Sequence, residues 1–237
     1  MITQAVQRAQ AYLSLSHAFL YPQENWLEDL PLLAELLGAL NAPIDQEAGQ
    51  PAGQLDLAGL QAHHREVFGL AGSLCYETEF GLPHEFRQSQ ELADIAGFYR
   101  AFGFRVGAAV RERPDHLATE LEFMYLLALK EAYAAENLTG EQVEVCVTAQ
   151  RRFLEDHLGR WIGPFRRALE RLARERLGGD GVDSPYLRLA RLAEAFVLAE
   201  AERLGAAVDR GEHSSLQPTP FDPDFSCAGC AAAEPIP

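Results

Sequence analysis

A chain of 237 residues, 48% hydrophobic and 23% charged, is long enough to bury a sizeable core in one large domain or two small ones. Its net charge of −15 argues against nucleic acid, whose affinity comes mostly from Lys and Arg on phosphates, and against an anionic membrane surface, while fitting a basic partner. No apolar run approaches the roughly 20 residues of a membrane span, no signal-peptide pattern opens the chain, and four cysteines of dissimilar spacing do not make a disulfide framework, so a cytoplasmic protein is expected.

In chain order, residues 3–21 read as a helix, with Val6, Ala9, Leu13, His17 and Leu20 at three- and four-residue steps. Pro22 stops it, Asn25 with Glu28 resembles a capping pair, and Pro31 restarts the pattern as a short helix over 32–40. Residues 41–54, with Pro43 and Pro51, read as a loop, and Asp56 caps a helix to about residue 68. Residues 69–88 have no helical period, and only 75–80 alternates weakly. A loop of this length inside a domain is often functional. Its acids and aromatics suit an extended or helical peptide; the plainer reading is a connector with packed Tyr76 and Phe80.

Ser89 is the expected N-cap of the next helix, with Leu92, Ile95, Tyr99 and Phe102 inward, Asp94 facing solvent or a groove, and Gly103 at its end. A central helix follows over 114–137. Thr139 with Gln142 forms a capping box for a helix to about residue 158, Pro164 starts another that ends at Gly178-Gly179, and Ser184-Pro185 opens the last, to about residue 204. From Asp209 the chain is rich in Pro, Ser and acids. No stretch is convincingly a strand. The expectation is an all-α fold, one multi-helix domain over 1–208 with a flexible tail over 209–237.

The central helix carries the most pointed pattern. Pro114 suits its first position, and Asp115 falls in the first turn, where the helix dipole favours a carboxylate. Leu117, Leu121, Met124 and Ala128 share one face, Asp115, Thr119 and Glu122 the opposite one, and His116 pairs with Glu120 at i,i+4. Residues 123–129 are apolar all round, which marks a buried helix. The ionisable groups therefore gather at its N-terminal end, where a pocket mouth or groove would lie. The plainer alternative is a first-turn acid beside a half-buried histidine.

Catalytic and metal classes fare poorly. The one lysine, Lys130, follows no glycine-rich turn, and no dinucleotide fingerprint, His-Glu-x-x-His pair or Gly-x-Ser-x-Gly elbow is present. No histidine has Glu three residues before it, against a di-metal carboxylate bundle. Asp115 and His116 are adjacent and point about 100° apart on a helix, which does not make a catalytic dyad. Cys227 and Cys230 form a lone Cys-x-x-Cys, half of a zinc or iron–sulfur site. A metal- or cluster-binding accessory protein acting through these cysteines is the alternative to a binding protein with an acidic, aromatic-lined site.

Three blocks together resemble the redox-enzyme maturation chaperones of the TorD/DmsD/NarJ type. They are Tyr76-Glu77-Thr78-Glu79-Phe80, the run from Leu92 through Asp94 and Tyr99 to Phe104, and Arg113-Pro114-Asp115-His116 followed by Glu120-Leu121-Glu122-Phe123-Met124. The opening helix through Phe19-Leu20-Tyr21-Pro22 is similar to the family's first helix, and Phe153-Leu154, His157-Leu158 and Trp161 sit where a family member carries such residues. The second block is most similar to the delta-subunit chaperones. The resemblance implies an all-helical cytoplasmic protein, monomer or homodimer, without catalytic turnover and without a cofactor of its own. Its implied partner is the apo catalytic subunit of a molybdenum oxidoreductase, bound in part at a twin-arginine signal peptide until its cofactor is inserted. Carried over by position, the family's Pro-Asp-His element falls on Pro114, Asp115 and His116, and its acidic-aromatic loop on Tyr76, Glu77 and Glu79. Asp115, Glu120 and Glu122 are then the expected guanidinium acceptors, with His116 as their neighbour. Tyr76, Phe80, Phe98 and Tyr99 supply apolar and cation–π surface beside Asp94.

Overall fold

A computed structural model describes residues 2–45, 55–69, 74–81, 87–106, 112–177 and 184–208. The helices are α1 (Ile2–Phe19), α2 (Leu30–Ala39), α3 (Leu57–Phe68), α4 (Arg87–Ala101), α5 (Leu117–Asn137), α6 (Gly140–Phe153), α7 (Gly159–Leu177) and α8 (Pro185–Leu204). Among the described residues no strand forms, and the all-α expectation holds; extended pairing is limited to an isolated antiparallel bridge between Tyr76 and His116. The tail over 209–237, with Cys227 and Cys230, lies outside the described residues.

Helix α5 is the axis of the bundle because it is apolar on nearly every side. Leu117, Leu121, Phe123, Met124, Leu127 and Ala128 are all fully buried. It lies between α1 and α6, while α7 and α8 pack on each other. The partners of α1 fix an antiparallel alignment with α5: Ser16 Oγ donates to the Ala118 carbonyl at 2.8 Å, and Arg8 pairs with Glu131 at 2.6 Å. Phe123 sits at the middle of an aromatic core, with ring centroids 4.8 Å from both Tyr99 and Phe153. Burying each such ring is worth roughly 2–3 kcal/mol.

Local signals explain most helix ends. Asp56 accepts from Gly59 N at 2.8 Å, and the Thr139–Gln142 capping box is present. Pro185 sits in the first turn of α8, and Gly205 closes it at φ +65°, where a Cβ would be strained. Asn25 caps a short 3-10 turn, Trp26–Asp29, that runs straight into α2.

Three helix starts differ from the sequence expectation. α4 already includes Arg87, so Ser89 is inside it rather than at its cap. Arg87 explains this by reaching back to the Thr78 and Phe80 carbonyls, 2.8 Å each. α6 does not end before Pro164: a π-turn, Leu154–Leu158, carries the chain into α7, and Pro164 sits inside that helix. The turn needs Gly159, because a Cβ there would run into the Leu154 carbonyl and the Val208 side chain. The third difference is at α5, which begins at Leu117 with His116 as its N-cap. Pro114 and Asp115 precede the helix, so Asp115 is not the first-turn dipole acid.

A buried polar knot ties four helices together. Arg8, 2% exposed, donates to Glu200 (2.9 Å), Glu131 (2.6 Å) and Gln150 (2.9 Å). A charge so deep needs this full set of acceptors, because losing any would strand an ion away from water.

Candidate functional site

Residues 75–80 are drawn onto the start of α5 by backbone pairing: Glu77 N donates to the Asp115 carbonyl (2.9 Å) and Leu117 N to the Cys75 carbonyl (2.8 Å). That pairing turns two sequence blocks into one site. Glu77–Glu79 forms a single 3-10 turn, which places Thr78 against the Asp115 carboxylate.

Asp115 is fully buried. Arg113 binds it bidentately, Nε to Oδ1 at 2.9 Å and Nη2 to Oδ2 at 2.7 Å. Thr78 adds its hydroxyl at 2.7 Å and its N–H at 3.3 Å. The same guanidinium reaches Glu79 Oε1 at 3.3 Å and lies 4.6 Å from the centroid of the Tyr76 ring. The Tyr76 hydroxyl donates to Glu112 at 3.0 Å.

His116 caps α5 with Nδ1, which accepts from Ala118 N at 3.1 Å. Burial pushes its pKa down to about 4 against the pull of Glu112 and Asp115, so the ring is neutral at pH 7 and free to accept. It does not pair with Glu120. That residue turns inward, fully buried, and accepts from Trp161 Nε1 at 3.0 Å. Its other oxygen has no donor among the described residues. Burial, then the charge of Glu77, raises the Glu120 carboxyl well above its usual range.

Glu77, 5% exposed, lies 3.2 Å from His157 Nδ1 across the π-turn. His157 Nε2 is 3.4 Å from Asp94 Oδ2, without the alignment of a hydrogen bond. Phe80 packs on Trp161, and Tyr99 donates to the Pro114 carbonyl at 2.7 Å.

The structure thus brings Tyr76, Glu77, Glu79, Phe80, Tyr99, Pro114, Asp115, His116 and Glu120 into one network and sorts them by depth. Asp94 and Glu122 are exposed, and Tyr76, Glu79 and Pro114 half-buried. Asp115 and Glu120 accept from Arg113, Thr78 and Trp161 rather than facing a groove as free carboxylates. Tyr99 and Phe80 are core residues. Reading the sequence as a helix from Pro114 caused this misplacement, because it put Asp115 opposite the apolar face and paired Glu120 with His116 along the flank. Thr78, Glu112 and Arg113 were missed as site residues, although the acids flanking Thr78 and the arginine two positions before Asp115 are visible in the sequence.

A cavity of about 770 Å³ opens beside this end of the bundle, between α1 and the Trp26–Asp29 turn with α2. Tyr21, Trp26, Leu32 and Leu33 line it, with Glu24 and Asp29 as acids, His17 beside them, and no Lys or Arg among the described residues. Tyr21 also packs edge-on against His64 at 5.4 Å, and Ser16, between the lining residues Ser14 and His17, donates to the Ala118 carbonyl, which sets the cavity at the end of the bundle where α5 begins. Among the described residues no group of three or more His, Cys, Asp or Glu is arranged to hold a metal, and no helix is long and apolar enough to cross a membrane.

Comparison with known proteins places this architecture. The chain is 36% identical over 114 residues to the selenate reductase assembly chaperone protein of Thauera selenatis, covering 48% of this chain and 53% of that one. It is 31% identical over 165 residues to the chlorate reductase assembly chaperone protein of Ideonella dechloratans, 68% of this chain and 76% of the relative. A third, the perchlorate reductase assembly chaperone protein of Dechloromonas aromatica (strain RCB), is 35% identical over 114 residues, 48% of this chain and 46% of the relative. The chain thus spans about half the length of the selenate and perchlorate relatives and three quarters of the chlorate one. The family model described as nitrate reductase delta subunit matches residues 23–167. That range holds the Glu77–Glu79 turn, the Asp115 cradle, the π-turn and Trp161 alike, and on it the chain belongs to the nitrate reductase delta subunit family.

Proposed function

We propose that this protein is a cytoplasmic assembly chaperone that binds the apo catalytic subunit of a molybdenum oxidoreductase, engages an arginine-bearing leader of that subunit, and holds it until its cofactor is inserted. The observation that carries the reading is the family membership, with relatives named as assembly chaperones of selenate, chlorate and perchlorate reductases. The geometry is in keeping with it. Half-exposed carboxylates of Glu112 and Glu79 stand on Tyr76 and Arg113, Asp94 is exposed beside His157, and the cavity has apolar walls and two acids, with no Lys or Arg among its described lining residues. A leader with guanidiniums ahead of an apolar stretch matches both parts, and the −15 charge steers it inward. In this reading the half-exposed rim makes the first contacts, and the buried network holds that rim in place.

The test is a pull-down with tagged protein from its native host, with partners identified by mass spectrometry. Recovery of a molybdenum oxidoreductase catalytic subunit supports the proposal; its absence, from cells actively making such an enzyme, refutes it. Replacing Asp115 and His116 is a poor probe, because one is a buried charge and the other a helix cap. Glu79→Gln with Glu112→Gln removes two surface acceptors instead, and recovery of the client should fall at unchanged helix content.

A further inference from the structure

We propose that Tyr76, Thr78, Glu79 and Asp115 form an exchangeable arginine site whose resident occupant is the chain's own Arg113, and that a client arginine binds by taking its place. The identity of the incoming arginine rests on the chaperone reading above; the exchange itself rests on the geometry of the cradle.

The cradle recognises a guanidinium in all its features. The two Asp115 oxygens take the fork of Nε and Nη2 at 2.9 and 2.7 Å, Glu79 takes Nη1 at 3.3 Å, and the Tyr76 ring covers the planar face at 4.6 Å. A lysine ammonium satisfies neither the fork nor the stacking. Asp115 is fully buried, so its carboxylate needs a cation at all times. A client arginine therefore cannot simply add to the site. It must replace the guanidinium already there, at nearly equal energy.

Arg113 is built to leave. Its side chain is 40% exposed, and its second partner Glu79 is 34% exposed, so that pair contributes little and the released guanidinium passes directly into water. Arg8 provides the contrast within the same molecule. It too binds carboxylates on several hydrogen bonds, but it is 2% exposed and held by α5, α6 and α8. No peptide can reach that arginine. Arg113 is tethered to Asp115 through one intervening residue, and such a tether sets an effective concentration on the order of millimolar or above. Free arginine at lower concentration loses that competition, and a ligand must bring contacts beyond the guanidinium to win it. The cis arginine thus discriminates against isolated arginines.

The experiment compares the wild-type chain with Arg113→Ala by thermal denaturation in methylguanidinium chloride or methylammonium chloride, and by titration with N-acetyl-Arg-Arg-amide. The variant should melt below the wild type and be restored, dose-dependently, by millimolar methylguanidinium and not by methylammonium. It should bind the dipeptide at least about tenfold more tightly than wild type, because the tethered competitor is gone. Absence of rescue, or equal or weaker dipeptide binding, overturns the proposal and leaves Arg113 a fixed strut. If the variant does not fold, NMR on the wild type decides: the Arg113 Nε–H resonance must move when the dipeptide saturates, and an unmoved resonance refutes exchange. Rescue and exchange without any client in the pull-down would sink the chaperone reading alone; a recovered client without exchange would sink only this one.

Discussion

Replacing Glu120 by glutamine tests the buried network most directly. The Glu120 carboxyl is fully buried, accepts from Trp161, and is raised well above its usual 4.5 by burial and by Glu77. A neutral acid donates one hydrogen bond and accepts another, and an amide does the same. In the unfolded chain Glu120 ionises near its ordinary value, so above that pH folding takes up a proton. The sign follows: this group's stabilising contribution is complete below about pH 4.5 and declines as pH rises toward the folded pKa. The slope is at most about 1.4 kcal/mol per pH unit for one proton, or roughly 3–5 °C per unit in a chain of this size. Glutamine carries no such dependence. Melting followed by circular dichroism from pH 5 to 8, at about one-unit steps, should show Glu120→Gln gaining on the wild type as pH rises. The neighbouring Glu77, Asp115, Tyr99 and His157 remain in both proteins, so the difference curve reports on position 120. Glu120→Ala, which strands Trp161 Nε1 and leaves a gap, should cost about 2–4 kcal/mol. Parallel melting curves for wild type and Glu120→Gln across that range would refute the idea that position 120 carries a proton.

The remaining predictions concern other parts of the frame. His116, held neutral with its pKa down at about 4, works in the opposite direction: stability is complete above the unfolded value near 6.5 and is lost as pH falls toward 4, by up to roughly 3 kcal/mol. Its ring resonances should show no titration down to about pH 5; a midpoint near 6.5 would contradict the cap geometry. Gly159→Ala should destabilise by about 1–3 kcal/mol, read as a lower denaturant midpoint, because the new methyl meets the Leu154 carbonyl and Val208. Arg8→Ala strands Glu131 and Glu200; since Arg203 still reaches Glu200 at 2.8 Å, the loss should be nearer the low end, about 3 kcal/mol by urea denaturation.

The sequence by itself determined the helical content and most helix positions. Asp56, Thr139 with Gln142, Ser184-Pro185 and Gly205 act within one turn of chain, so their meaning does not depend on what packs nearby. The apolar run after Glu122 likewise announced a buried axis. Family resemblance lay in short blocks that a reader of the chain can quote, and the match over residues 23–167 agrees with it.

Only the tertiary structure decided what the charged residues do. Whether α5 begins at Pro114 or Leu117 turned on the pairing of residues 75–77 with 115–117, a contact between segments about forty positions apart. Helical periodicity therefore put Asp115 opposite the apolar face and Glu120 on the flank beside His116, whereas packing against Thr78 and Trp161 enclosed both. The continuity of α6 into α7 was hidden for a related reason. Pro164 looks like a helix start locally, and the π-turn that overrides it depends on Gly159 lying against Val208, a residue distant in the chain. Burial and charge pairing are sums over neighbours distant in sequence. A linear pattern carries the local half of that information, and the depth of a carboxylate belongs to the other half.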